Sequence, residues 1–155
     1  MPSWRLHYHV VWTTYHREPL ITPELERELY GYLMGRVANE GAILHAIGGT
    51  PDHVHLAVSV PPKLALATFI GALKGSSSHH INHIPGQQNS FAWQDAYGVV
   101  SFAERHLPQV IRYIERQKEH HQIGNLWPLL ERMEEEDEAQ AIEQINGRKT
   151  REGRG

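Results

Sequence analysis

The chain has 155 residues, 40% hydrophobic and 21% charged, with twelve histidines, no cysteine and a formal net charge of −3. That length suits a single domain with one core, and the composition is ordinary for a soluble globular protein. Without cysteine there is no disulfide framework and no thiolate nucleophile or metal ligand. No apolar stretch approaches the roughly 20 residues of a membrane span, and the N-terminus lacks the layout of a secretory signal, so a cytoplasmic protein is expected. Residues 1–130 carry ten basic and ten acidic side chains, and the last 25 carry five and eight, so the negative excess lies in the tail. A neutral body is not a general electrostatic clamp for duplex DNA, which leans on many Lys and Arg contacts to phosphate.

In chain order, Leu6 to Thr14 (LHYHVVWTT) reads as a strand, with Leu6, Tyr8, Val10 and Trp12 on one face. Pro23 opens a helix capped by Thr22, and Leu25, Leu29, Tyr32, Leu33 and Val37 follow at helical spacing to an end near Gly41. Ala42 to Ile47 is a second strand, closed by Gly48 and Gly49. Pro51 and Asp52 turn the chain into a third strand, His53 to Val60, which pairs with the second as a hairpin. Pro61 and Pro62 stop it. A second helix spans about Leu64 to His79, with Leu66, Phe69, Ile70 and Leu73 inward. HINHIPGQQNS reads as loop, and FAWQDAY as the place of a short fourth strand. A last helix starts at Ser101 or Arg105 and runs to His121, with Pro108 in its first turn.

The order strand–helix–strand–strand–helix–strand predicts an α+β ferredoxin-like sandwich, an antiparallel sheet whose first and third strands lie together at the centre. Residues 1–128 form that domain. Residues 129–155 form a tail, acidic and then basic, partly helical or disordered; six acids fall between Glu131 and Glu138.

Two short stretches carry candidate chemistry. In PDHVHLAV, His53 and His55 are two apart on a strand and share a face, so both imidazoles can reach one divalent cation. By itself the pattern also fits a half-exposed strand, and His7 and His9 around Tyr8 repeat the same spacing. In YIERQKEHH, Tyr113 and Gln117 are four apart on a helix and therefore neighbours, at the edge of the stripe of Val110, Ile111 and Ile114. A tyrosine at that margin packs its ring and can turn its hydroxyl to a cleft, or simply reaches out to solvent.

The two stretches together resemble the HUH-class single-tyrosine transposases, which include insertion-sequence and REP-associated tyrosine transposases. The resemblance runs in order through HYHVVWTTYHREPL, GGTPDHVHLAVSVPP, ALKGSSS and FAWQDAYGVVSF to YIERQKEHH, from about Arg5 to His121. It implies that His53, His55 and Gln117 bind a metal, Mg²⁺ or Mn²⁺, and that Tyr113 is the nucleophile of a 5′-phosphotyrosine reaction on single-stranded DNA beside a hairpin. A homodimer is implied, with Tyr113 acting in its own subunit or in the partner's. Lys74, in the family's KG-x-S segment, fits a phosphate contact or a lysine at a helix C-terminus. Arg112 and Arg116 fit DNA-backbone contacts or solvated surface. Trp93 and Tyr97 fit base stacking or core. Two other functions suit the same residues: a hairpin-binding protein without cleavage, and a metal phosphodiesterase that uses water.

Overall fold

A computed structural model describes residues 3–119. His120, His121 and the predicted tail from 129 lie outside the described residues.

The sheet has four antiparallel strands in the order β2-β3-β1-β4, formed by β1 (His7–Thr13), β2 (Ile43–Thr50), β3 (His53–Ser59) and β4 (Gly98–Phe102). This is the predicted arrangement, with the first and third strands paired at the centre. Two helices, α1 (Pro23–Asn39) and α2 (Leu66–Asn82), cover one face. Alternation along the strands sends Val10, Trp12, Val54, Leu56 and Val58 to that face. There they meet Leu29, Leu33 and Val37 of α1 and Phe69, Ile70, Leu73 and Ile81 of α2. Helix α1 starts where the sequence places it, because the Thr22 hydroxyl accepts from the Leu25 amide at 3.2 Å and Pro23 occupies the first turn. No helix among the described residues is long and apolar enough to cross a membrane.

The opposite face takes the alternate side chains. His7, His9, Val11 and Thr13 of β1 lie beside Ser59, Ala57, His55 and His53 of β3, each pair directly in register. A third helix, α3 (Leu107–Glu115), packs here, with Val110 and Ile114 against Ala46 and Ala57.

Four predicted boundaries differ, the first being the start of the last helix, which is Leu107 because Ser101 belongs to β4. Gly48 and Gly49 do not close β2 but belong to it, paired with His55 and Val54. The fourth strand begins after FAWQDAY, at Gly98, and that segment reaches the sheet only through a bridge from Trp93 to Thr14. Phe91 and Trp93 are buried in the main core, and the Trp93 indole donates to Ser77 Oγ at 2.9 Å. Those aromatics anchor a loop, which explains a strand-like composition in a segment that forms no strand. Helix α2 also continues past His79 to Asn82, whose amide holds both the N–H and the carbonyl of Phe91 at 2.8 Å.

The glycine at position 48 decides how deep α3 sits. A Cβ there would stand 2.0 Å from the carbonyl oxygen of Ile114. The obstacle is backbone, so relief requires moving the helix. We expect Gly48→Ala to lower stability by about 1–3 kcal/mol, as overpacking does, and to speed amide exchange in α3. Thermal denaturation and hydrogen exchange indistinguishable from the unsubstituted protein would show that the helix does not depend on this approach.

Candidate active site

The seat of α3 brings the sequence-predicted residues together in one chain. Val110, Tyr113, Ile114 and Gln117 recur at helical spacing, and all four are buried. Tyr113 is 2% exposed and Gln117 1%, so neither lies at a margin. Small residues beneath, Ala46, Gly48 and Ala57, let the helix sink far enough to cover them. Regular helix ends at Glu115, and Arg116 departs from it at φ −106°, ψ 25°. Beyond that break the amide oxygen of Gln117 lies 3.4 Å from Nε2 of His53, and its Nε2 donates to the Tyr113 carbonyl at 3.4 Å. The rings of Tyr113 and His55 stand edge to face with centroids 6.1 Å apart, and those of His53 and His55 at 4.9 Å.

Each histidine is oriented through Nδ1. Nδ1 of His53 lies 2.7 Å from Asp52 Oδ1 and 2.8 Å from Thr50 Oγ1, while the Thr50 hydroxyl lies 2.9 Å from the same carboxyl oxygen. An ionised carboxylate only accepts, so Nδ1 of His53 donates to Asp52, and Nε2 is the ring nitrogen left on the side of Gln117. Nδ1 of His55 lies 2.8 Å from Nε2 of His9, and both residues are buried. The hydrogen bond from His53 holds the Asp52 carboxyl down from 3.8 to about 2, against burial, with help from Thr50 and the charge of Arg17.

Arg17 belongs to a turn at the rim. His16 and Arg17 both have φ of 53°, a left-handed conformation that side chains disfavour. Thr14 holds the turn: its Oγ1 lies 2.6 Å from the Glu18 carbonyl and 3.1 Å from the Asp52 carbonyl.

Among the described residues no three His, Cys, Asp or Glu side chains gather to hold a metal. The set here is two imidazoles and an amide oxygen. Ligands at about 2.1 Å on adjacent corners of an octahedron stand about 3.0 Å apart. The 3.4 Å between His53 and Gln117 is near that spacing. A carboxylate behind one ligand histidine is also a usual support for a metal site. These residues therefore fit a hard or borderline cation that keeps open positions for oxygen ligands.

The remaining predicted residues lie elsewhere. The Lys74 ammonium donates to the carbonyls of Gln94, Asp95 and Ala96 at 2.6, 2.9 and 3.1 Å, tying α2 to the segment before β4. Arg112 and Arg116 are exposed. Arg116 borders a pocket of about 280 Å³ beside Gln117, between Gly48 and Gly49 of β2 and Glu26 and Tyr30 of α1. Lys118 pairs with Glu26 across that pocket. Trp93 is core, and Tyr97 packs partly buried against it. Sequence reasoning read Asp52 only as a turn residue and His9 only as a repeat of the spacing. An acid directly before the first histidine was the available signal for Asp52.

Residues 2–117 match the family model described as "Transposase IS200 like". The ISDra2 transposase of Deinococcus radiodurans is 29% identical over 119 residues, which cover 74% of this chain and 85% of that protein. The transposase for insertion sequence element IS200 of Salmonella typhimurium is 25% identical over 126 residues, 78% of this chain and 82% of that one. A crystal structure of a Deinococcus radiodurans protein described as a transposase superposes with a TM-score of 0.61, at 29% identity, over 75% of this chain and 93% of that one. A REP-associated tyrosine transposase bound to a REP hairpin shares the fold, with a TM-score of 0.57 at 14% identity over 83% and 81% of the two chains. The fold is thus that of a transposase class. The chain belongs to the IS200-like transposase family.

The Asp52–His53 bond gives a direct check. Asp52 has a depressed pKa, so the stability it contributes is full above about pH 3.8 and is lost as the pH falls through about 2. A carboxyl-detected NMR titration should place the Asp52 midpoint near 2, whereas a midpoint at 3.8 would mean that the bond is absent in solution.

Proposed function

We propose that the protein is a metal-dependent transposase that cleaves and rejoins single-stranded DNA beside a hairpin, with Tyr113 as nucleophile. The observation that carries this reading is the meeting of His53, His55, Tyr113 and Gln117 at one place within one chain. Membership of a transposase family and the hairpin DNA in a structural neighbour support it.

His53 and His55 through Nε2, with Gln117 through Oε1, would hold Mg²⁺ or Mn²⁺. That ion, when bound, polarises the scissile phosphate and screens the charge that develops on its oxygens. The Tyr113 oxygen attacks phosphorus, an O–P bond to tyrosine forms, and the P–O3′ bond breaks. Net, one proton moves from the phenol to the departing 3′ oxygen. The aryl phosphodiester keeps the energy of the broken linkage, so another 3′-hydroxyl can reverse the step without a nucleotide cofactor. Free tyrosine has a pKa of roughly 10, so the phenol reacts only where nearby positive charge favours its anion. Gln117, one turn from Tyr113, couples the nucleophile's position to that of a ligand.

The phenol is covered in this conformation, so entry of the strand requires α3 to shift. The break at Arg116 and the Lys118–Glu26 pair lie where such a shift would act. Arg112 and Arg116 offer exposed charge to phosphates, while Lys74 can do so only by giving up a carbonyl. In a homodimer, the assembly we infer, each subunit would complete its own site.

Incubation with labelled single-stranded hairpins and Mn²⁺ should give a protein–DNA adduct that survives denaturation and disappears with EDTA. Tyr113→Phe should reduce it by about 10⁴-fold or more, as removal of a nucleophile does. Undiminished adduct in that variant would place the nucleophile elsewhere. Phosphodiester turnover in Tyr113→Phe would mark a water-using phosphodiesterase, and tight hairpin binding indifferent to EDTA, with no adduct, a non-cutting binder.

A further inference from the structure

The imidazole pair of β3 is not alone on its face of the sheet. His9 lies on β1 opposite Ala57, one strand repeat along from the Val11–His55 pair, so it is the diagonal neighbour of His55 on the same face. The two rings lie with centroids 4.9 Å apart at 44°, and Nε2 of His9 is 2.8 Å from Nδ1 of His55. His9 is 1% exposed and His55 fully buried, so water does not compete for this bond. Only one of the two nitrogens can carry the proton they share.

The two histidines of β3 are therefore held in the same sense by different means. His53, at the strand end beside the turn, has Asp52 behind its Nδ1. His55, two residues deeper, has no room for a carboxylate of this kind without burying a net charge, which is expensive. A neutral imidazole supplies an acceptor there without that penalty. Metal-binding histidines are commonly fixed through the other ring nitrogen, and such partners set the tautomer of the ligand.

We propose that His9 is a positioning residue of the active site: its Nε2 accepts the Nδ1–H of His55 and so presents Nε2 of His55, with its lone pair, to the metal. This rests on the metal-dependent reading above, but the tautomer it assigns is a property of the metal-free protein. His9 touches neither DNA nor metal. It acts through His55, and His9, His55, His53 and Asp52 adjoin one another in a polar strip on the sheet.

Long-range ¹H–¹⁵N correlation spectra of the metal-free protein read the tautomer directly. His55 should be protonated at Nδ1 in the native chain. In His9→Leu, which keeps the bulk and removes the acceptor, it should shift to the Nε2–H form that an isolated neutral imidazole favours. Mn²⁺ affinity, measured by titration calorimetry, should fall about 10–100-fold in that variant, the usual effect of losing such a partner. His9→Gln places an amide oxygen near the position of Nε2 and should restore both the tautomer and most of the affinity. An Nε2–H tautomer in the native protein would overturn the inference. So would an unchanged tautomer in His9→Leu, or a His9→Gln that behaves like His9→Leu. Should the native tautomer be as assigned while no Mn²⁺ binds at all, the hydrogen bond stands and the metal-site reading falls.

Discussion

The contact between the backbone of Ile114 and the bare Cα of Gly48 is the constraint on which the rest of the structure depends. It lets one helix lie against the sheet without a side chain between them. Ala46 and Ala57 extend the same shallow floor, and Val110 and Ile114 fill it. With the helix seated there, Tyr113 falls over His55 and Gln117 against His53. A larger side chain at any of these floor positions would raise the helix by a distance comparable to the contacts that make the site. The geometry of the chemistry is thus set by residues that take no part in it.

The two faces of the sheet divide the work. On the face of α1 and α2, the alternating positions of β1 and β3 are apolar and close a core that includes Trp12, Phe69 and Trp93. On the other face the same strands carry histidine, threonine and serine, an arrangement that hydrophobic burial alone would not favour. Hydrogen bonds among those groups offset their desolvation. Nδ1 of His53 meets Asp52, Nδ1 of His55 meets His9, and His7 and His45 both meet the Ser59 hydroxyl, at 2.8 and 2.6 Å. Burial, then the neighbouring His7, lowers the pKa of His45 and keeps that end of the strip biased to the neutral form. A neutral imidazole is the form that can bind a cation, so a face lined with buried, hydrogen-bonded histidines suits the chemistry proposed for its other end.

Much of this was legible in the sequence. Periodicity and capping gave α1 and its start, alternation gave β1 and β3, and the element order gave the sheet topology. The pairing of Tyr113 with Gln117 followed from helical spacing. Other features depended on tertiary contacts that no local pattern encodes. Gly48 and Gly49 look like the end of a strand, but the absent side chain of Gly48 answers to a helix more than sixty residues later, and that of Gly49 to the backbone of His53 and Val54. Phe91 and Trp93 look like strand residues because buried loops and strands draw on the same aromatics. His9 matched the spacing of the His53–His55 pair, and only the register of β1 on β3 makes it the neighbour of His55. The depth at which Tyr113 is buried likewise depends on the size of the residues beneath it, which its own helix does not reveal.

The central claim is that one chain supplies a complete ligand set: His53, His55 and Gln117 converge, with Tyr113 beside them. Crystals soaked in Mn²⁺ and measured at a wavelength where manganese scatters anomalously test it most directly. The account predicts one strong anomalous peak bounded by Nε2 of His53, Nε2 of His55 and Oε1 of Gln117 from the same chain. A peak held by other residues, or one whose glutamine comes from a second copy, would contradict it.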